Sequence, residues 1–167
     1  MDTKISQPTD EKKIDGIVQF TTFGCSGEEY GIEVLKVREI IRMPVITKIP
    51  NTPDYVEGII NLRGKVIPIV SMRKKFGLQE ADNSSQTRII VMDIHSSITG
   101  FIVDCVSEVL RIHSSDIQPP PIMATAQNDS SMCIQGIYGT NDKLISIVDL
   151  ELLFQNIPKL EAINGIN

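Results

Sequence analysis

Apolar residues recur along this chain in short β-branched runs separated by turn residues. Ile17-Val18-Gln19-Phe20-Thr21-Thr22-Phe23 alternates in part and predicts a strand. After a turn over Gly24 to Glu29, Tyr30-Gly31-Ile32-Glu33-Val34 alternates cleanly and predicts a second. The phase then slips at Leu35 and Val37, which a β-bulge or a break would explain. Val37 to Arg42 continues as strand. Residues 43–55 carry Pro44, Pro50 and Pro53, which a central strand rejects, so the segment reads as loop or edge. Gly58 to Val70 then reads as a hairpin of two apolar strands. Asn61 and Gly64, which tolerate positive φ, bracket its reversal, and Leu62 and Arg63 stand at its tip. Small polar residues are the default there. Such a tip either lies on another part of the molecule or is built to touch a partner. Ser71 to Gly77 predicts a short helix, with Ser71 as N-cap and Gly77 as the stop.

The pattern then repeats. Residues 79–87 are polar and join two halves. Arg88 to Ile94 and Gly100 to Arg111 each predict a strand. Gly31 matches Gly100, Val34 matches Val103, Val37 matches Val106, Glu39 matches Glu108 and Arg42 matches Arg111. Gly58-Ile59 matches Gly136-Ile137, Lys65 to Val70 matches Lys143 to Val148, and Phe76 matches Phe154. The offset grows across the loop from Pro119 to Cys133, where loops absorb insertions. The units span about residues 15–78 and 87–155, and units of that size are marginal alone. Two are expected to pack together, with or without exchange of strands, as small barrels. Where the first unit has Asn61-Leu62-Arg63-Gly64, the second has Gly139-Thr140-Asn141-Asp142, ordinary turn chemistry. Leu62 and Arg63 are therefore not needed merely to make this kind of turn.

Composition narrows the function. The chain has 167 residues and is 41% hydrophobic, enough for a core but without a run long enough to span a membrane. Residues 1–13 are polar, lack the apolar centre of a secretory signal, and read as a disordered tail. The expectation is a soluble cytoplasmic protein. Net charge is −5, Arg73-Lys74-Lys75 is the only tight basic group, and no Trp is present, so nucleic acid is not an expected partner. Cys25, Cys105 and Cys133 are far apart, and His95 and His113 stand away from them, which argues against disulfides and against a metal site.

No nucleophile elbow, phosphate loop, dinucleotide fingerprint or metal-binding helix motif occurs. Cys105 could serve as a nucleophile, but in its strand pattern it reads as a buried, inert thiol. Glu39 follows Val37 with period two, which would place both on one face of a strand. Its carboxylate is either solvated or paired with Arg63, and a two-pronged pair would fix the guanidinium in a way lysine could not.

The residues so assembled resemble the CheW family of bacterial chemotaxis coupling proteins. The likeness is carried by Glu29-Tyr30-Gly31-Ile32, Lys36-Val37-Arg38-Glu39-Ile40, Pro50-Asn51-Thr52-Pro53 and Gly58 to Pro68, and then by Val103 to Leu110 and Leu144 to Leu150. It covers about residues 14–156, leaving 157–167 as a C-terminal tail. The resemblance implies a mainly β fold: two packed five-stranded SH3/OB-like barrels, related by internal duplication with strands swapped, plus short helices. It implies a non-enzymatic adaptor without cofactors that couples methyl-accepting chemotaxis receptors, at their cytoplasmic tips, to the regulatory domain of the histidine kinase CheA. Such a protein would be cytoplasmic and recruited to membrane receptor arrays through its partners. By position, the partner-binding residues would be Val37, Glu39, Gly58, Asn61, Leu62, Arg63, Gly64, Gly100, Val106 and Val109. The alternatives are a CheW-like module of a CheV-type adaptor, whose receiver domain this length does not accommodate, and one serving a non-chemotactic receptor–kinase array. Ser71 stands where the family often has Asp, which keeps a cap but loses the charge–dipole attraction.

Overall fold

A computed structural model of the chain describes residues 16–121 and 133–154. The expected tails at 1–13 and 157–167, and most of the Pro119–Cys133 loop, lie outside the described residues. The first unit contributes β1 (Ile17–Cys25), β2 (Glu28–Glu33), β3 (Val37–Arg42), β4 (Val56–Leu62) and β5 (Lys65–Ser71), followed by the one-turn helix α1 (Met72–Lys75). The second contributes β6 (Arg88–Ile94), β7 (Ser97–Val103), β8 (Cys105–His113), β9 (Ile134–Gly139) and β10 (Leu144–Val148), followed by α2 (Leu150–Leu153). The turn between β1 and β2 is tighter than expected, because Ser26 and Gly27 both take positive φ. The phase slip after β2 is a break, a turn of 3-10 helix at Val34–Lys36. Ser71 accepts the Lys74 N–H as N-cap of α1, and Gly77 follows at φ +75°. Asp149 plays the capping part for α2, accepting from the Glu151 N–H.

The two halves do exchange strands. One five-stranded sheet runs β8-β1-β2-β10-β9 and the other β3-β6-β7-β5-β4. Each sheet thus combines the first two strands of one unit with the last three strands of the other. Registers obey the same rule: Gly31 lies opposite Ile147 on a parallel pair, as Gly100 lies opposite Ile69. The run Gly100–Arg111 is consequently not one strand. It breaks at Asp104, where the chain leaves one sheet for the other. Neither sheet closes into a barrel. Single bridges, Thr47 to Ile59 and Gln118 to Ile137, link the segments after β3 and β8 to β4 and β9. Proline-bearing segments stand where closing ladders would run, and proline cannot donate to a ladder.

The core follows from this exchange. A central cluster joins the sheets through Phe23 and Ile32 from one and Val70, Met92 and Phe101 from the other. Phe154, at the C-terminus of α2, packs on Phe101 at 4.9 Å, and its counterpart Phe76 packs on Tyr30 at 5.0 Å. Satellite clusters fill each sheet's own concavity: Ile60, Ile67, Ile69, Ile89 and Val91 in one, Phe20, Ile112, Ile145 and Ile147 in the other.

Candidate functional site

The β4–β5 hairpin reverses in two residues. Leu62 pairs with Lys65, and Arg63 and Gly64 between them sit at φ +53° and +87°. Positive φ at both central residues is what a type I′ hairpin turn demands, and Asn-Gly is its favoured sequence. Asn61 does not bracket the reversal together with Gly64, as the sequence suggested, because the turn is centred one residue later, on Arg63 and Gly64. It pairs with Val66 in the strand, and its side-chain Oδ1 accepts the Gly64 N–H at 2.8 Å. Leu62 is likewise less of a tip residue than expected, because its half-buried side chain packs on the satellite cluster. The projecting group is Arg63, whose side chain keeps 70% of its surface exposed.

Arg63 is held by Glu39. Its Nη1 and Nη2 donate to Oε2 and Oε1 of that carboxylate at 2.5 and 2.6 Å, a two-pronged pair across the open edge between β3 and the hairpin. The Arg63 hydrogen bonds hold the Glu39 carboxyl below the usual carboxylate range, with partial burial opposing them. The same pair raises the Arg63 guanidinium. Beside it, Arg38 donates to Asp93 at 2.9 Å. Arg38, Glu39 and Arg63, together with Leu62, Lys65 and Ile98, border a depression of about 160 Å³, floored by Ile67 and Val91. The result is an apolar floor with a charged rim and a guanidinium aimed outward in fixed orientation.

Other expected site residues lie elsewhere. Val37 and Glu39 do not share a face. A bulge at Arg38 puts Val37 opposite Met92 and Glu39 opposite Val91, and these neighbours on β6 point to opposite sides. Val37 therefore packs on the central cluster, as does its counterpart Val106. Val109 lies on β8 in the other sheet, 55% exposed. Gly58 and Gly100 are interior. A Cβ at Gly58 would stand 2.2 Å from the Thr47 carbonyl oxygen, and one at Gly100 2.7 Å from side-chain carbons of Ile69 and Ile89. Cys105 is only partly buried, against the sequence reading. It lies opposite Gly24 at the edge of its sheet. The enclosed thiols are Cys25 and Cys133, each pushed up to about 12 chiefly by burial.

One constellation escaped sequence reading. Arg73, just after β5, donates through Nε and Nη2 to Asp104 at 2.9 and 2.6 Å, and through Nη1 to the Gln79 carbonyl. Asp104 also accepts the Ser26 N–H at 2.8 Å. The signal available was Asp104 itself, an acidic residue interrupting an apolar run at the point where the two units cross.

The chain matches the family model for the CheW-like domain over residues 19–157. It is 38% identical over 135 residues to the chemotaxis protein CheW of Helicobacter pylori, covering 81% of this chain and 80% of that protein. It is 35% identical over 138 residues to the chemotaxis protein CheW of Klebsiella aerogenes, covering 83% and 82%. The crystal structure of the scaffolding protein TtCheW from Thermoanaerobacter tengcongensis superposes with a TM-score of 0.75 at 40% identity, over 83% of this chain and 92% of that one. With the duplicated, strand-exchanged sheets and the clamped hairpin tip already in place, these matches show that the chain belongs to the CheW-like family of non-enzymatic chemotaxis coupling adaptors.

Proposed function

We propose that this adaptor couples the cytoplasmic tips of methyl-accepting chemotaxis receptors to the regulatory domain of the histidine kinase CheA, acting in the cytoplasm at membrane receptor arrays. No helix among the described residues is long and apolar enough to cross a membrane, so attachment through partners fits this reading. The observation that carries it is Arg63: exposed, held at positive φ, and oriented by Glu39 above an apolar floor. An exposed ion pair adds little to stability, so its role is to present the guanidinium.

Glu39, Asn61, Leu62, Arg63 and Gly64 form this contact surface. Val37, Val106 and Val109 belong to the flanks of β3 and β8. Gly58 and Gly100 act from inside, Gly58 by letting the segment at Thr47 approach β4 closely and Gly100 by leaving room for the Ile69 and Ile89 side chains. Signal transfer additionally requires that the adaptor bind the active and inactive arrangements of its partners with different affinity.

The test is a pull-down with a receptor cytoplasmic fragment and with the kinase regulatory domain. Wild type should retain both. Arg63→Glu should lose one of them while its melting temperature stays within a degree or two of wild type. Failure of wild type to retain either protein overturns the coupling function, and a collapse of melting temperature in the variant shows Arg63 to be structural.

A further inference from the structure

Two arginines lie within reach of Glu39, and only one of them is bonded to it. Arg38 is the extra residue of the bulge that interrupts the β3–β6 ladder between Val37 and Glu39. A bulge re-aims side chains, and here Arg38 and Glu39, although consecutive, border the same depression. The Glu39 carboxyl is held below its ordinary range first by the Arg63 hydrogen bonds, against partial burial, and then by the charges of Arg63 and Arg38. Arg38 is therefore close enough to act on that carboxylate. It donates elsewhere, from Nη1 to Oδ2 of Asp93 at 2.9 Å.

Asp93 stands on β6, the in-sheet neighbour of β3, opposite Ile98. Arg63 stands across the open edge, on the hairpin. The two ion pairs thus leave β3 in opposite directions, Arg38 toward the sheet and Glu39 toward the tip. Two guanidiniums are matched by two carboxylates. Without Asp93 both would face one carboxylate, whose two oxygens make a two-pronged pair with a single guanidinium. Arg38 would have the advantage there, because it sits beside Glu39 on the same strand, whereas Arg63 is brought in on a turn at positive φ. The duplication supplies a control. The second unit keeps the carboxylate, as Glu108, but Ser107, Gly24 and Asn141 stand where Arg38, Asp93 and Arg63 do. The competing arginine, the carboxylate that engages it and the presented arginine are absent together.

We infer that Asp93 is a positioning residue for the hairpin tip: by engaging Arg38 it reserves Glu39 for Arg63. The inference deepens the coupling reading, from which it takes Arg63 as the contact group. The Arg38–Asp93 pair is half exposed and adds little to stability. Its effect is on which arginine Glu39 holds.

The experiment compares wild type, Asp93→Asn, Arg38→Gln and the double variant, each as the full chain. NMR of the guanidinium nitrogens reads the Arg63 pair directly, because a two-pronged bond slows rotation of the group and resolves its two Nη signals. Arg63→Lys identifies those signals by their loss. Asp93→Asn should merge them into one average, Arg38→Gln should leave them resolved, and the double variant should restore them. A receptor cytoplasmic fragment and the kinase regulatory domain are then titrated separately. The partner that Arg63→Glu weakens should bind Asp93→Asn about threefold to tenfold more weakly, and the double variant about as well as wild type. Thermal unfolding of all four proteins should overlay. If Arg63 keeps its resolved signals in Asp93→Asn, or if removing Arg38 does not restore them, Asp93 does not position the tip. If the signals return in the double variant and binding does not, while Arg38→Gln alone binds normally, Asp93 meets the partner itself and the positioning role is equally overturned. If the signals behave as expected and wild type binds neither partner, the positioning role stands and the coupling reading fails.

Discussion

At the scale of single residues, Arg63 sets presentation against stability. A non-glycine residue at φ +53° is held where its Cβ crowds the backbone, and asparagine tolerates that region better. Arg63→Asn should therefore keep or raise the melting temperature while weakening the partner bound at the tip. A fall in melting temperature together with unchanged binding would contradict this assignment. The Arg63–Glu39 pair was legible in the sequence, because the plainer second unit showed which residues the hairpin could do without. The backbone cost was not legible. Neither Asn141 nor Asp142 takes positive φ, so the two turns differ in type, and the second hairpin is a control for the scaffold rather than for the turn itself. Residue identities gave no sign of that difference, since Asn, Asp and Gly suit several turn types alike.

At the scale of elements, the strap after β3 matters as much as the strands. Thr47 exchanges both backbone hydrogen bonds with Ile59, at 2.9 and 2.8 Å, directly beside Gly58. Gly58→Ala drives a methyl into the Thr47 carbonyl at a φ of +148°, and it should cost about 1–3 kcal/mol, as overpacking does. Urea unfolding would measure the loss. Faster amide exchange at Thr47 and Ile59 would localise it to the strap. Unchanged stability would mean that the strap yields freely and that Gly58 acts in some other way. Individual strands were readable where alternation was uninterrupted: β3 and β6 fall on the expected bounds. The division of Gly100–Arg111 into β7 and β8 was not, because what bends the chain at Asp104 is a bond to Arg73, distant in sequence and adjacent only in the fold.

At the scale of the whole molecule, the Arg73–Asp104–Ser26 node ties three segments at the crossing between the sheets. Hydrogen bonds from Arg73, and then the Ser26 N–H, lower the Asp104 carboxyl below its ordinary value against an opposing effect of burial. A lowered native pKa contributes stability that is fully present above the unfolded value, near 3.9, and is lost as pH falls through the native one. Asp104→Asn should accordingly be less stable by about 1 kcal/mol at neutral pH, the discount reflecting partial exposure. Its stability should also decline less steeply than that of wild type between about pH 5 and pH 2. Parallel acid limbs for the two proteins would remove the node's electrostatic role. The strand exchange around this node has a further consequence in time. During synthesis β1 and β2 emerge first, yet their neighbours β8 and β10 come from the far half of the chain. Contacts so distant in sequence slow folding and defer the sheet they complete until nearly the whole chain is available. The sheet that carries Arg63 has all its strands once Val103 is made, whereas the sheet begun by β1 and β2 waits for Val148, so the two sheets are completed in a fixed order and the hairpin's sheet comes first.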